Sequence, residues 1–516
     1  MIKKIIFLAV VLILTFGATT YIKADDPQSP DPSGAVTGTA SDVPAATSNS
    51  PTIEEVAAVA GHNKIAINMV WVLLAGFLVM FMQTGFALVE SGLTRAKNAA
   101  HTMAMNFLVY PLGMLGFFFC GFAFMFGGFG PLTTLGGFNG LNHELSFNLF
   151  GKTFDIIGFK GFGLNGVYDV GIFALFLFQM VFMDTTATIP TGSLAERWKY
   201  SAFFIYALFV GAIIYPIYGN WVWGGGWLAD MGVNFGLGHG HVDFAGSSVV
   251  HLTGGVLALV GAALLGPRLG KFNRDGSANA IPGHNIPMAV IGTFILAFGW
   301  FGFNAGSTLA GGDLRISVAA VNTMIASATG AVASTLWMWL VRTKKPDPTM
   351  MLNGMLAGLV AITAPCAFVG VGSAALIGLI SGVLVIEAAF FVERKLRIDD
   401  PVGAVAVHGV NGAWGCLALG LFADGTYGDG WNGVAGGVTG LFYGDASQFV
   451  AQLIGVATNI IYVGAVGYLI FKLIDKTVGM RVNPKAELEG VDLEEMGVEG
   501  YSGIKLDKNS ETPLSR

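Results

Sequence analysis

The sequence predicts an all-α polytopic membrane protein: eleven transmembrane helices, built as an inverted 5+5 repeat plus one extra C-terminal helix. Three observations carry this. Hydrophobic residues make up 53% of the 516-residue chain and charged residues only 12%. Apolar runs of about 20 residues recur along it, each long enough to cross a hydrocarbon core of about 30 Å. A nine-residue frame, Asp243-Phe-Ala-Gly-Ser-Ser-Val-Val-His251, returns as Asp400-Pro-Val-Gly-Ala-Val-Ala-Val-His408, and both copies open a long apolar stretch.

Taken in order, Met1 to Lys4 is a basic n-region and Ile5 to Phe16 a short apolar h-region, which reads as a signal peptide over 1–24 cleaved after Ala24. Residues 25–65 are rich in Pro, Ser, Thr, Ala and Asp without periodicity, and read as a disordered extracellular segment. A transmembrane domain then occupies 66–476. Its spans fall at 66–93, 99–127, 167–194, 200–220, 244–266, 286–307, 315–341, 350–370, 372–393, 402–422 and 447–474. A cytoplasmic tail follows over 477–516. The 74 glycines suit close packing of apolar helices through small residues. The long connection 128–166, rich in Gly, Asn and Phe, is expected to be irregular.

Charge sets the orientation. Arg95 and Lys97, Arg197 and Lys199, Arg268, Lys271 and Arg274, Arg342, Lys344 and Lys345, and Arg394, Lys395 and Arg397 occupy every second connection. Lys472, Lys476, Arg481 and Lys485 follow the last span, whereas the other connections hold Lys152, Lys160 and Arg315. The positive-inside rule then puts the N-terminus outside and the C-terminus inside. Five spans per repeat, an odd number, forces the second repeat to be inverted. Eight helical residues rise about 12 Å. His251, entering from outside, and His408, entering from inside, therefore both reach the midplane, where inverted-repeat transporters place their sites. A lone imidazole on an apolar helix can simply pack. Intramembrane ionisable groups are costly, however, and line pathways, and the repeated frame favours a functional pair.

No basic stripe marks a nucleic-acid partner. Cys120, Cys366 and Cys416 are dispersed through apolar runs, which suits neither a disulfide framework nor a zinc site. His239 and His241 have metal-ligand spacing but read as part of a solvated loop. No metal and no cofactor is expected.

Several segments now resemble one family. Asp243 to Arg268, with spaced small residues ending Gly-Pro-Arg, is similar to the signature of ammonium transporters of the Amt/Rh family, bacterial Amt type. Gly299-Trp-Phe-Gly-Phe-Asn-Ala-Gly-Ser307, Val222-Trp-Gly-Gly-Gly226, Leu194-Ala-Glu-Arg197, Thr363-Ala-Pro-Cys366 and the Asp399-Asp-Pro to His408-Gly stretch match in the same order, so the resemblance spans about 65–500. It implies an outer ammonium-recruitment site at Phe182, Trp223 and Ser307 with Phe178 above, a stacked gate of Phe182 and Phe303, and a pore and proton relay at His251 and His408. Asp243, Asp400 and Trp300 would be structural. It also implies a homotrimer in the bacterial cytoplasmic (inner) membrane. A PII-type regulatory protein would act at the cytoplasmic face, through the tail from Asp475 to Tyr501.

The chemistry agrees. Aromatic faces attract a small cation by about 2 kcal/mol when desolvated, and the Ser307 hydroxyl can accept an N–H. Trp223 at an outer boundary also suits a plain interfacial belt. Asp243 suits an N-cap better than a cation ligand. No carboxylate is matched to the pore below Phe182 and Phe303. An intact cation there would meet a Born penalty of tens of kcal/mol, so the reading is that ammonium sheds its proton and neutral ammonia crosses. The rivals are a Rh-type gas channel, which Trp223 and Ser307 disfavour, an ammonium sensor, and a membrane enzyme using the two His as metal ligands. Asp184 lies about 200° around the helix from Phe182 and is expected in packed protein, where hydrogen bonds or protonation would offset its burial.

Overall fold

Eleven apolar helices cross the molecule in the computed structural model, which describes residues 43–501. They are α1 (Ile53–Leu93), α2 (Ala96–Phe126), α3 (Val170–Leu194), α4 (Tyr200–Trp223), α5 (Ser247–Leu265), α6 (Ile286–Thr308), α7 (Arg315–Arg342), α8 (Pro348–Ile362), α9 (Val371–Arg394), α10 (Val405–Phe422) and α11 (Ala446–Thr477). The expected signal peptide lies outside the described residues.

The repeat is visible in how the helices pack. α2 lies on α3 as α7 lies on α8, and α2 on α4 as α7 on α9. Likewise α3 lies on α5 as α8 on α10, and α1 on α3 as α6 on α8. The leading helices of the two halves, α1 and α6, run along each other, and α11 braces both α5 and α10. α5 and α10 meet where Gly255 faces Gly409, and a Cβ on Gly255 would overlap the Gly409 backbone. Small residues thus let two His-bearing helices touch.

Both copies of the repeated frame fold alike. Each begins with an Asp and then a glycine in the left-handed region, Gly246 at φ 117° and Gly403 at φ 81°. Each enters its helix through a π-helical turn carrying the histidine, Ser247–Leu252 and Val405–Val410. Asp243 accepts N–H bonds from Gly246, Ser247, Ser248 and Val249 and the Ser248 hydroxyl, at 2.7–3.0 Å. Asp400 accepts from Ser193 Oγ, Gly403 N and Val405 N.

Four local expectations are corrected. The segment 25–65 is not uniformly irregular, because α1 starts at Ile53. Thr52 accepts from Glu55 N at 3.2 Å and Glu55 accepts from Thr52 N at 2.8 Å, a capping box that nucleates the helix ahead of the apolar run. At 41 residues α1 is about 60 Å long, twice a hydrocarbon core, so its first turns project beyond it. The 128–166 connection holds an antiparallel hairpin, β1 (Glu144–Leu149) and β2 (Lys152–Gly158), with Phe147 stacked on Phe154 at 5.3 Å. Its alternating Leu145, Phe147, Leu149 pattern is a strand period that the surrounding glycines mask. The span expected at 350–370 is helical only to Ile362. Pro365 lacks an N–H to continue it, and Thr363 O and Ala364 O instead accept from Ala245 N and Phe244 N. His239 and His241 are both buried rather than solvated.

At the basic end, Glu196 pairs with Arg95 and lies 3.2 Å from Arg268, which pairs with Asp399 at 2.8 Å. This buried cluster ties the junction of α1 and α2 to the ends of α3 and α5 and the approach to α10. The chain after α11 folds back over it. α12 (Pro484–Glu489) receives the Lys97 ammonium on its Leu488 carbonyl at 2.5 Å. Asp492 accepts from Ala100 N and His101 N near the start of α2, and Glu495 from Tyr200 N at the start of α4.

Candidate functional site

At the end opposite the basic cluster, α3, α4, α6 and their loops enclose a cavity of about 390 Å³. Phe178, Phe182, Trp223 and Ser307 all line it. Phe178 and Phe182, one helical turn apart on α3, have centroids 4.6 Å apart. The Trp223 ring meets Phe182 edge-on at 6.1 Å, and its indole N–H donates to Asp243 O at 2.6 Å. Ser307 Oγ donates to Phe303 O at 2.7 Å, which commits its proton and leaves oxygen lone pairs for an incoming N–H.

The floor of this cavity is Phe182, stacked on Phe303 at 4.1 Å and 25°. The column continues from there. Phe303 lies 5.4 Å from His251, and His251 lies 5.3 Å from His408, with interplanar angles of 26° and 28°. The two imidazoles meet Nδ1 to Nδ1 at 3.2 Å. One nitrogen must donate and the other accept, so the pair's two Nε2 atoms are one acceptor and one donor. His251 Nε2 is buried with no protein partner. Trp300 stacks on His251 at 5.2 Å and is fixed by its N–H to Thr363 Oγ1 at 3.0 Å. Phe86 of α1 lies 6.2 Å from His408 on the far side.

Asp184 is buried, lines neither this cavity nor the one below His408, and its Oδ1 has no hydrogen-bond partner. His241, Asp243 and Cys416 bring ligand-type atoms within 4.8 Å of one another. Asp243 already accepts five hydrogen bonds and His241 Nε2 faces Ser248 Oγ at 2.9 Å, so this is a hydrogen-bonded brace under the His251 turn rather than an open donor set.

Two acidic residues escaped sequence reasoning. Asp230, in the loop between α4 and α5, lines the aromatic cavity, and burial, with Asp155 near, pushes its carboxyl up to about 6. Glu90, in the last turn of α1, lines a small cavity together with His408. Neither belongs to a motif that marks it. A Glu followed by Ser-Gly-Leu at the end of an apolar run was the available signal.

Comparison with known proteins now bears on this column. A family model described as the Ammonium Transporter Family matches residues 70–501. The chain belongs to the ammonium transporter family. The ammonium transporter Amt2 of Archaeoglobus fulgidus is 45% identical over 88% of this chain and 92% of its own length. Amt1 of Haloferax mediterranei is 37% identical over 84% of this chain and 79% of its own. Among solved structures, that of a protein named Sensor Amt Protein superposes with a TM-score of 0.73 at 37% identity, covering 84% of this family member and 99% of that chain. Mep2 of Candida albicans gives 0.69 at 28%, covering 87% and 93%.

Proposed function

We propose that this family member is an ammonium transporter that recruits ammonium at its outer aromatic mouth, deprotonates it and conducts ammonia through the twin-His pore. The observation that carries the reading is the unbroken column Phe182, Phe303, His251, His408, with 3.2 Å between the imidazole Nδ1 atoms. In the cavity above it, Phe182 and Trp223 face a small cation with their π systems and Ser307 Oγ accepts one N–H. Between that cavity and the imidazole pair the column is purely aromatic. Carrying an intact charge past Phe182 and Phe303 would cost tens of kcal/mol, whereas neutral ammonia crosses with one donor and one acceptor to meet in the imidazole pair. His251 Nε2, buried without a protein partner just beyond Phe303, takes the proton as ammonium reaches the stacked gate, and the proton passes on along the Nδ1 to Nδ1 contact, which reverses the donor and acceptor ends.

Asp243, Asp400 and Trp300 hold the two histidines in place. The pore domain is 66–476, with the aromatic mouth outside and the basic end and tail at the cytoplasm, in keeping with the positive-inside rule. The assembly we propose is a homotrimer in a bacterial inner membrane, with a PII-type protein docking at the cytoplasmic face.

The test is the current evoked by an ammonium jump on proteoliposomes. His251→Ala and His408→Ala should each lower it at least about tenfold with assembly unchanged. Trp223→Leu with Ser307→Ala should raise the half-saturating ammonium concentration. Undiminished current in both His variants removes the relay. A wild-type protein that binds ammonium without current or ammonia flux would favour sensing, a reading brought forward by the likeness to a sensor Amt protein.

A further inference from the structure

Below His408 the column does not end in apolar protein. A cavity of about 20 Å³, room for a water molecule, is lined by His408, Phe86, Glu90, Asn353 and Val402 among others. Asn353 and Val402 also wall the larger cavity of about 510 Å³ at the basic end, which opens toward Asp400 and Lys271. Glu90 therefore shares one cavity with the inner imidazole, and that cavity shares its Asn353 and Val402 wall with the mouth. Glu90 is 3% exposed, buried in the last turn of α1. A carboxyl group buried within a membrane domain is costly and usually serves a pathway.

The hydrogen bonds around Glu90 can serve either protonation state. Asn106 Nδ2 donates to Glu90 Oε2 at 2.6 Å. Thr191 Oγ1 lies 2.9 and 2.8 Å from the two carboxyl oxygens, and also 2.5 Å from the Thr188 carbonyl. A hydroxyl has one proton. When Glu90 is ionised, that proton points to the carboxylate. When Glu90 is protonated, the carboxyl O–H donates to Thr191 Oγ1, and Thr191 turns its own proton to Thr188 O. Rotation of one hydroxyl accommodates the change, with no backbone movement. Gly192 makes room for this, since a Cβ there would meet the Glu90 carboxyl at 3.1 Å. The ionisable groups that interact with Glu90 from its other sides are Asp400 and Tyr206, with His408 across the cavity.

We propose that Glu90 is the inner proton acceptor of the pore, the group that takes the ammonium-derived proton from His408 and hands it to water at the cytoplasmic mouth. The inference rests on the relay reading of the His pair given above. The imidazolium N–H bond breaks as the Glu90 O–H bond forms, and His408 returns to neutral. The Glu90 O–H bond then breaks toward water in the larger cavity, restoring the carboxylate. Ammonia, released separately, needs no further group.

The experiment compares the wild type with Glu90→Gln, Glu90→Asp and His408→Ala in the same proteoliposomes, following ammonium-evoked current. Size-exclusion profiles show that each variant is assembled. Glu90→Gln should lose current about tenfold and Glu90→Asp should recover at least half of it. A Glu90→Gln current above half of wild type, with His408→Ala silent, overturns the proposal and leaves the relay standing. Full current in both Glu90→Gln and His408→Ala overturns the relay itself. An aspartate variant as silent as the glutamine variant shows a packing role and also overturns the proposal. Should Glu90→Gln not assemble, wild-type protein carrying ¹³C-labelled Glu carboxyls decides the matter. Its ammonium-induced infrared difference spectrum must contain an isotope-shifted carboxyl band, and a spectrum without one overturns the proposal.

Discussion

Asp243→Asn tests whether this carboxylate is a cap or a ligand. Its Oδ1 accepts Gly246 N at 2.9 Å and Ser247 N at 2.8 Å, while Oδ2 accepts Ser248 N, Ser248 Oγ and Val249 N at 2.7, 2.7 and 3.0 Å. An asparagine has one carbonyl oxygen. Even with that oxygen on the better-served side, its amide N–H₂ faces Gly246 N–H and Ser247 N–H, donor against donor. Two charge-assisted bonds, each contributing about 1.5–3 kcal/mol, are lost, so the substitution should cost about 3–6 kcal/mol. Part of this is relieved if the turn at Ser247–Leu252 opens, which would carry His251 away from Phe303. The expected result is a lowered melting temperature in detergent together with reduced current. Asp400→Asn, with only three bonds to lose, should cost less. Unchanged melting with unchanged current would refute the capping argument. Unchanged melting with abolished current would instead make Asp243 a group that acts on the cation by its charge.

Three further outcomes follow from the structure. Glu196→Gln should destabilise by about 3–5 kcal/mol, since it removes the buried negative charge that faces both Arg95 and Arg268. Arg268 and Arg95 hold the Glu196 carboxyl down to about 2 against its burial, and Asp399 is lowered too. That stability is full above the unfolded carboxylate value of about 4 and is lost as pH falls through about 2, a window that acid-induced melting should show in the wild type and flattened in Glu196→Gln. In the aromatic cavity, Asp230 loses its charge as pH falls through about 6. Apparent ammonium affinity should weaken there by up to about fivefold, the effect of at most about 1 kcal/mol in water. Asp230→Asn should show the weakened affinity at pH 7 and no such dependence. Asp184→Asn should keep its current and stay within about 1 kcal/mol of wild-type stability, because Oδ1 has no bond to forfeit. The sequence alone has hydrogen bonds or protonation offset the burial of Asp184 and expects Asp184→Asn to lower stability, and a melting comparison distinguishes the two.

The sequence by itself determined the class, the number of helices and the pseudo-symmetry. Hydrophobic run length answers directly to bilayer thickness. The Asp243 to His251 and Asp400 to His408 frames place two imidazoles at one depth by helix rise alone. The capping box at Thr52 and the strand period at Leu145, Phe147 and Leu149 were also written locally and were outweighed by the polar or glycine-rich composition around them. Other features have no local trace. Glu90 reaches the small cavity because α1 packs on α3 there and faces the start of α10 across it, and its two-way hydrogen bonding depends on Thr191, which is 101 positions away. Asp230 becomes part of the aromatic cavity, and His239 and His241 become buried, only when the loops close over α11 and against one another. The tail caps α2 and α4 through Asp492 and Glu495, carboxylates that look like a solvated charge run in one dimension. Periodicity and length report what a segment exchanges with its solvent. Which buried polar groups then meet depends on the crossing of helices far apart in the chain, and that was decided by the tertiary structure alone.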